Sequence, residues 1–367
     1  MKKVRVLHID TEKSWRGGER QVYFLAEGLR TLETESEVVC LAGHPLHRRL
    51  STAGHLCLPV KRWLLPWKPL IRAAGDSDVI HAHTSRGHNL GLTLKVLSGK
   101  PLLVTRRVDF KPGNNPLTRW KYRSADRVAC ISGEVARVLV TWGLSPQKTV
   151  IIPSAAAPLG EVEDGEKIRI REELGIDAER PLVGTVGALV GHKDQRTFIE
   201  AARGVHGKGP EVAFVVVGSG PLEAELRALA AELGMEGRIF FTGFREDADR
   251  ILASLDVFAL PSRMEGLGTV VLDAFSLGVP VAATRAGGIP EMVRDGETGL
   301  LSPPGDPEGL SGNIIRLLED QALARRLTDA ALRLVRENHS VDLMAERYRE
   351  LYREMVKGAK KEGGTAG

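Results

Sequence analysis

The stretch PSRMEGLGTVVLDAF, residues 261–275, sets two carboxylates, Glu265 and Asp273, around a glycine-flanked leucine. Gly266-Leu267-Gly268 offers backbone N–H groups with little side chain in the way, directly before an apolar run that reads as a helix over Gly268–Leu277, stopped by Gly278. Amides at a helix N-terminus suit a pyrophosphate or sugar hydroxyls. Asp273 stands four residues into that helix, above Thr269. A carboxylate there accepts hydrogen bonds from a diol such as the two ribose hydroxyls. Glu265 lies on the other side of the phosphate cradle, nearer a sugar. The chemistry expected of the stretch is recognition of a nucleotide sugar.

Other loops repeat the theme. VGTVGALVGHKDQRTF places Lys193 just before a helix, where it acts as a point charge for a diphosphate. VVVGSGPL presents Gly218 and Gly220 after a strand, and FTGFRED places Phe244 on a glycine loop whose backbone suits a flat base. TRAGGIPEMV adds a Gly-Gly pair after the next strand. In the first half, Gly17-Gly18 precede a helix expected from about Glu19 and leave room for an anionic or sugar-like ligand. The pattern is not GxGxxG, which argues against a nicotinamide dinucleotide. His81 and His83 alternate at strand period on one face, and His83, nearer the loop, is the better candidate to reach a ligand. No metal is expected, because no cysteine or carboxylate cluster and no HxxxH accompanies them. Arg106 and Arg107 stand at a strand end, suited to a phosphate or to ion pairs on the surface.

These loops need a scaffold of strands and crossover helices. Short β-branched runs at Val4–Ile9, Glu37–Leu41, Asp78–His81, Pro101–Thr105, Asp126–Ile131 and Thr149–Ile152 alternate with helical patterns at Glu19–Arg30, Asn89–Leu97 and Gly133–Trp142. The stretch PSAAAPLGEVEDGE reads as a linker, after which the alternation restarts. Its second run has strands at Leu182–Val186, Val212–Val217, Arg238–Phe241, Val257–Leu260 and Val279–Ala283, and helices at Gln195–Val205, Leu222–Leu233 and Gly268–Leu277. From about Asp306 the pattern is helical only. The expectation is an α/β protein of two doubly wound, Rossmann-like domains facing a central cleft: residues 1–155, a linker at 156–165, and residues 166–339.

The 367 residues suffice for two domains. Residues 1–160 hold 25 Lys and Arg against 12 Asp and Glu, and the rest hold 26 against 35. A basic first half favours anionic partners. Cys40, Cys57 and Cys130 have no metal-like spacing and read as free thiols of a reducing cytoplasm. No apolar run reaches the ~20 residues that span a bilayer.

Taken together, these motifs resemble the retaining glycosyltransferases of family 4, which have the GT-B fold. The resemblance covers nearly the whole chain and is most specific over Pro261–Asp306, including GVPVAATRAGGIPEMVRDGETGLLSPPGD. It implies that Glu265 contacts the donor sugar, that His83 binds a sugar hydroxyl or assists the reaction, and that Lys193 holds the diphosphate. Gly17, Gly18, Gly218, Phe244, Gly266, Leu267, Gly268 and Asp273 complete the implied donor site. It also implies a metal-independent transfer with retention, no cofactor, and a last helix, about 340–358, that returns to the first domain with Leu343, Tyr348, Leu351 and Tyr352 as its apolar stripe. Two departures stand out. The family's second glutamate is Asp273 here, and its phosphate-loop arginine is Ala188, so the missing charge is sought in Arg263, Arg106 or Arg107. The acceptor implied is a glycan or lipid-linked hydroxyl of the cell envelope. KRWLLPWKPLIRAAG, residues 61–75, suggests contact with an anionic membrane surface from the cytoplasmic side, or else a packed connection. Nucleic acid is not an expected partner. The alternatives are a non-catalytic nucleotide-sugar-binding relative and a GT-B sugar-nucleotide epimerase.

Overall fold

The computed structural model describes residues 3–32, 34–61, 66–157, 164–177, 179–209 and 211–364, the side chains of 164, 166 and 360–364 excepted. Trp63 and residues 158–163 of the expected linker lie outside the described residues. The chain divides into two units, Met1–Ala155 with His339–Gly367, and Ala156–Asn338.

The first unit carries β1 (Arg5–Ile9), β2 (Glu35–Leu41), β3 (Leu56–Val60), β4 (Val79–Ala82), β5 (Leu102–Arg106), β6 (Arg127–Cys130) and β7 (Thr149–Ile151). They form one sheet in the order β3-β2-β1-β4-β5-β6-β7, every pair parallel. The second unit carries β8 (Leu182–Val186), β9 (Ala213–Val217), β10 (Ile239–Gly243), β11 (Val257–Leu260), β12 (Val281–Thr284) and β13 (Leu300–Ser302), ordered β10-β9-β8-β11-β12-β13 and again parallel. Two doubly wound sheets were the expectation, and both are present. In each, the strand order reverses once, beside β1 and β4 or beside β8 and β11. Loops leaving the carboxyl ends of such a pair turn opposite ways and open a crevice, which is where these folds bind ligands.

Central strands such as β5 and β9 are buried at every residue, as strands covered by helices on both faces must be. The two strands that sequence reading missed are explained by their positions. β3 is an edge strand with Leu56 69% exposed and with Pro59, which only an edge tolerates. β13 has three residues, too few to show a period.

The last helix, Val341–Gly364, belongs to the first unit and packs on helix Gly17–Thr31. Its buried stripe is Met344, Ala345, Tyr348, Leu351, Tyr352 and Met355. Leu343, expected in that stripe, is only half-buried, because the face turns by one position to Met344. The two helices close over Gly28, where an added Cβ would stand 2.7 Å from the Ala345 Cβ and 3.2 Å from the Val341 carbonyl oxygen. Gly28→Leu is therefore expected to destabilise the first unit by about 1–3 kcal/mol through overpacking, measured as a lower urea midpoint. An unchanged midpoint would show that the helices can part without cost. The three cysteines are free, Cys40 and Cys130 buried and Cys57 half-buried. Among the described residues no helix is long and apolar enough to cross a membrane.

Candidate active site

In the second unit the residues singled out from sequence gather at the β8/β11 switch point. β8 ends at Val186, and the following backbone is tied to the loop after β9: Gly187 N donates to Val217 O at 2.9 Å and Leu189 N to Ser219 O at 3.1 Å. Gly218 has φ +136°, and a Cβ there would lie 1.9 Å from the Gly187 carbonyl oxygen. Gly218 N in turn donates to Gly243 O at 2.8 Å, which sets the end of β10 beside this loop and leaves the next residue, Phe244, 57% exposed.

Lys193 follows on a short turn. Its Nζ donates to the Glu265 carboxylate, and Ser262 Oγ donates to the same carboxylate at 3.4 Å. The side chains are 20% and 13% exposed, so the pair is sheltered without being sealed. The Glu265 carbonyl accepts from Gly288 N at 2.8 Å, so the Gly287-Gly288 loop buttresses the loop that carries Glu265. Gly268, at φ +82°, caps helix Thr269–Ser276. Leu267 is 2% exposed, so only its backbone can meet a ligand.

The residue after Lys193 escaped sequence reading. Asp194 has φ 49°, the one non-glycine with positive φ among the described residues. Asp tolerates this region better than most residues. Its Oδ2 accepts from Thr197 Oγ1 at 2.7 Å and from Arg263 Nε at 2.6 Å, which pins the turn that carries Lys193. Arg263, expected near phosphate, thus has its Nε engaged by Asp194, though over half of the side chain is exposed. Asp273 is 5% exposed, and its Oδ1 accepts from Ala157 N at 3.4 Å. It faces inward, toward the chain segment that enters this unit.

In the first unit the β1/β4 switch point gathers a second polar group. Register pairs His8 with His81, so that His81 and His83 share a face with His8. All three rings are at most 4% exposed. His81 is held by Tyr352 Oη at its Nδ1 and by Thr105 Oγ1 at its Nε2, both at 2.7 Å, and Tyr348 Oη lies 3.0 Å from the same Thr105. Arg107 can only donate, so His83 Nδ1 accepts from its Nη2 at 3.3 Å. His83 Nε2 then carries the proton and donates to His8 Nδ1 at 3.0 Å. Burial, reinforced by neighbouring histidines and Arg107, holds His81 and His83 well below the usual histidine range, and burial pushes His8 down to about 3. All three rings are neutral at pH 7. Their ring nitrogens lie within 4.8 Å of one another, a spacing a metal could use, but the hydrogen bonds just described engage both nitrogens of His81 and of His83.

Asp10, two residues after His8, is 1% exposed. Burial pushes its carboxyl up to about 7 against the hydrogen bond from Glu12 N, 3.0 Å from Oδ1. Glu19 is also raised by burial, while Arg16 N at 2.8 Å and Ser14 Oγ at 3.3 Å donate to it. The helix starts at Gly17 rather than at about Glu19, so Gly17 and Gly18 form its first turn, Gly18 beside the Arg107 side chain. His8-x-Asp10 repeats the alternation of His81-x-His83, and that was the available signal for the two residues sequence reading passed over. Arg106, by contrast, points away from this group. Its Nη1 donates to Tyr122 Oη at 2.6 Å and its Nη2 to the Phe110 carbonyl, which engages both terminal nitrogens within the first unit.

Comparison with known proteins places the chain among glycosyltransferases. The family model for Glycosyltransferase Family 4 matches residues 15–156, and that for Glycosyl transferases group 1 matches 166–333. The lipopolysaccharide core biosynthesis glycosyltransferase LpsE of Rhizobium meliloti is 29% identical over 343 residues, 91% of this chain and 95% of that protein. The alpha-D-kanosaminyltransferase of Streptomyces kanamyceticus is 30% identical over 294 residues, 77% of this chain and 72% of that protein. Among solved structures, Anabaena HepE in complex with UDP and glucose has a TM-score of 0.83 at 22% identity, covering 96% of this chain and all of that one. With two parallel doubly wound sheets, glycine loops at both switch points and these likenesses, the chain belongs to glycosyltransferase family 4 and has the GT-B fold.

Proposed function

We propose that the protein moves a sugar from a nucleoside diphosphate donor to a hydroxyl of a glycan or lipid-linked acceptor, with retention at the anomeric carbon and without a divalent metal. The observation that carries this reading is the Lys193–Glu265 pair, set between glycine loops at the β8/β11 switch point. An ammonium beside helix N-terminal amides stabilises charge on a departing diphosphate, the role a metal plays elsewhere. A diphosphate entering there competes for the Lys193 ammonium and releases the Glu265 carboxylate to accept from the sugar. Phe244, exposed at the end of β10, is suited to stack on the base. Asp273, already held by Ala157, contributes least to this reading. In the first unit, His83 and Arg107 with Gly17 and Gly18 are the proposed contacts to the transferred sugar. The known role of LpsE supports a lipopolysaccharide acceptor, which would be met at the cytoplasmic face of the membrane.

The test is calorimetry of the purified chain with UDP, GDP, ADP and NAD, without added metal. Binding of one nucleoside diphosphate is expected. Lys193→Met should weaken it by about 10–100-fold, the loss of one charge-assisted contact to phosphate. Binding of NAD alone, or Lys193→Met binding as tightly as the parent, would overturn the reading.

A further inference from the structure

Arg106 ends β5 at 8% exposure and joins two segments that follow it. Besides its hydrogen bonds to Tyr122 and Phe110, its guanidinium lies 5.2 Å from the Phe110 ring centroid and 5.7 Å from that of Tyr122. Tyr122 is the buried anchor of helix Pro116–Ser124. That helix is well started: Asn115 caps it, accepting from Thr118 N at 2.8 Å, and Pro116 occupies its first turn. Arg119 grips Asn114 Oδ1 through two nitrogens, at 2.9 and 2.6 Å, fixing the turn before it. What this construction presents to solvent is apolar. Phe110 is 53% exposed, Leu117 71% and Trp120 55%, the last two one turn apart.

Three large apolar side chains held outward within eleven residues are not an ordinary surface. Their surroundings are cationic: residues 110–125 contain Lys111, Arg119, Lys121 and Arg123 and no acid. Arg119 and Lys121 are partly engaged, by Asn114 and by Ser85, while Lys111 and Arg123 are exposed. The same layer repeats the arrangement. Helices Trp67–Asp76 and Pro116–Ser124 both pack on helix Ser85–Ser98. Trp67 (44% exposed) and Ile71 (37%) lie one turn apart, with Lys68 and Arg72 exposed beside them and Arg72 3.8 Å from Asp76. Helix Pro116–Ser124 follows the carboxyl end of β5, and Trp67 follows the carboxyl end of β3, so both apolar groups stand toward the edge of the sheet that also carries His83 and Gly17.

We propose that this edge of the first unit docks on an anionic lipid bilayer, with Phe110, Leu117, Trp120 and Trp67 entering the headgroup region and the neighbouring cations meeting acidic lipid. Aromatic and leucine side chains amid Lys and Arg are the composition of interfacial elements, and the excess of cations in residues 1–160 is the complementary charge. Arg106 acts as a positioning residue, joining the Phe110 loop to the helix. The inference goes beyond the proposed transfer reaction and does not depend on it, since binding to lipid is measured without donor or acceptor.

The experiment is sedimentation of the full chain with phosphatidylglycerol-rich vesicles and with pure phosphatidylcholine vesicles at low salt. Binding to the first and not the second is expected. The double variant Leu117→Ser/Trp120→Ser should lower the partition coefficient at least about tenfold. Val96→Ser/Leu97→Ser should leave it unchanged. Those residues are equally exposed but end helix Ser85–Ser98, at the opposite edge of the layer. Arg106→Lys, which keeps the charge but cannot hold Tyr122 and the Phe110 carbonyl together in the same way, should also weaken binding. No binding by the parent chain, equal binding to both vesicle types, or full binding by the Leu117/Trp120 variant with its circular dichroism unchanged would each overturn the proposal.

Discussion

Glu265→Gln should lower turnover by about 10²–10³-fold, the scale on which a single electrostatic contact at a reacting centre acts. The change keeps the shape and removes the charge. In the parent, that carboxylate is the partner of Lys193, and its loop is held by Gly288. Without the charge, the Lys193 ammonium is released from its ion pair and its attraction for phosphate rises. The expected signature is therefore a split: kcat falls while nucleoside diphosphate binding holds or tightens. A structural role would move both the same way, by loosening the loop. Steady-state kinetics with calorimetry on the same preparation separates the two, and near-normal turnover in Glu265→Gln would remove this residue from the chemistry.

The second large effect is expected at a position with no functional group. Gly218→Ala brings a Cβ to 1.9 Å from the Gly187 carbonyl oxygen, at φ +136°. The obstacle is backbone, so no rotamer change relieves it. The loops after β8 and β9 must part, and with them the bonds from Gly187 to Val217 and from Leu189 to Ser219. About 3 kcal/mol or more of stability should be lost. Gly234→Ala is the control: it also has positive φ, +68°, but an added Cβ meets nothing within 4 Å, so only the conformational penalty of about 1–2 kcal/mol applies. Thermal unfolding of the two variants side by side decides the matter. If Gly218→Ala melts no earlier than Gly234→Ala, the close approach is not rigid.

Local structure was legible in the sequence wherever chain neighbours carry it. Gly266 to Gly268, the lysine before the helix Gln195–Lys208, and the restart of the strand–helix pattern at Leu182 are all read along the chain. What escaped depends on partners far away in sequence. Arg106 stayed open between a phosphate and a surface ion pair because its own neighbours say nothing of Tyr122, sixteen residues on. Helix Pro116–Ser124 was passed over because Tyr122 is its one buried residue, and one buried position makes no period. Asp273 sits where a ribose ligand was expected, and its inward turn toward Ala157, 116 residues away, could not be read from spacing. His8 and Asp10 close the first strand, where the apolar run had already accounted for the pattern.

The return of helix Val341–Gly364 to the first unit sets an order of events during synthesis. His81 and Thr105 leave the ribosome long before Tyr352 and Tyr348, which are 271 and 243 residues further on. At elongation rates of about 5–20 residues per second, that interval is roughly 15–50 s. The second unit, built from one continuous segment, can finish in that time. The first unit waits with the interior face of helix Gly17–Thr31 uncovered and two polar side chains lacking their final partners. The unit made first is thus the one completed last.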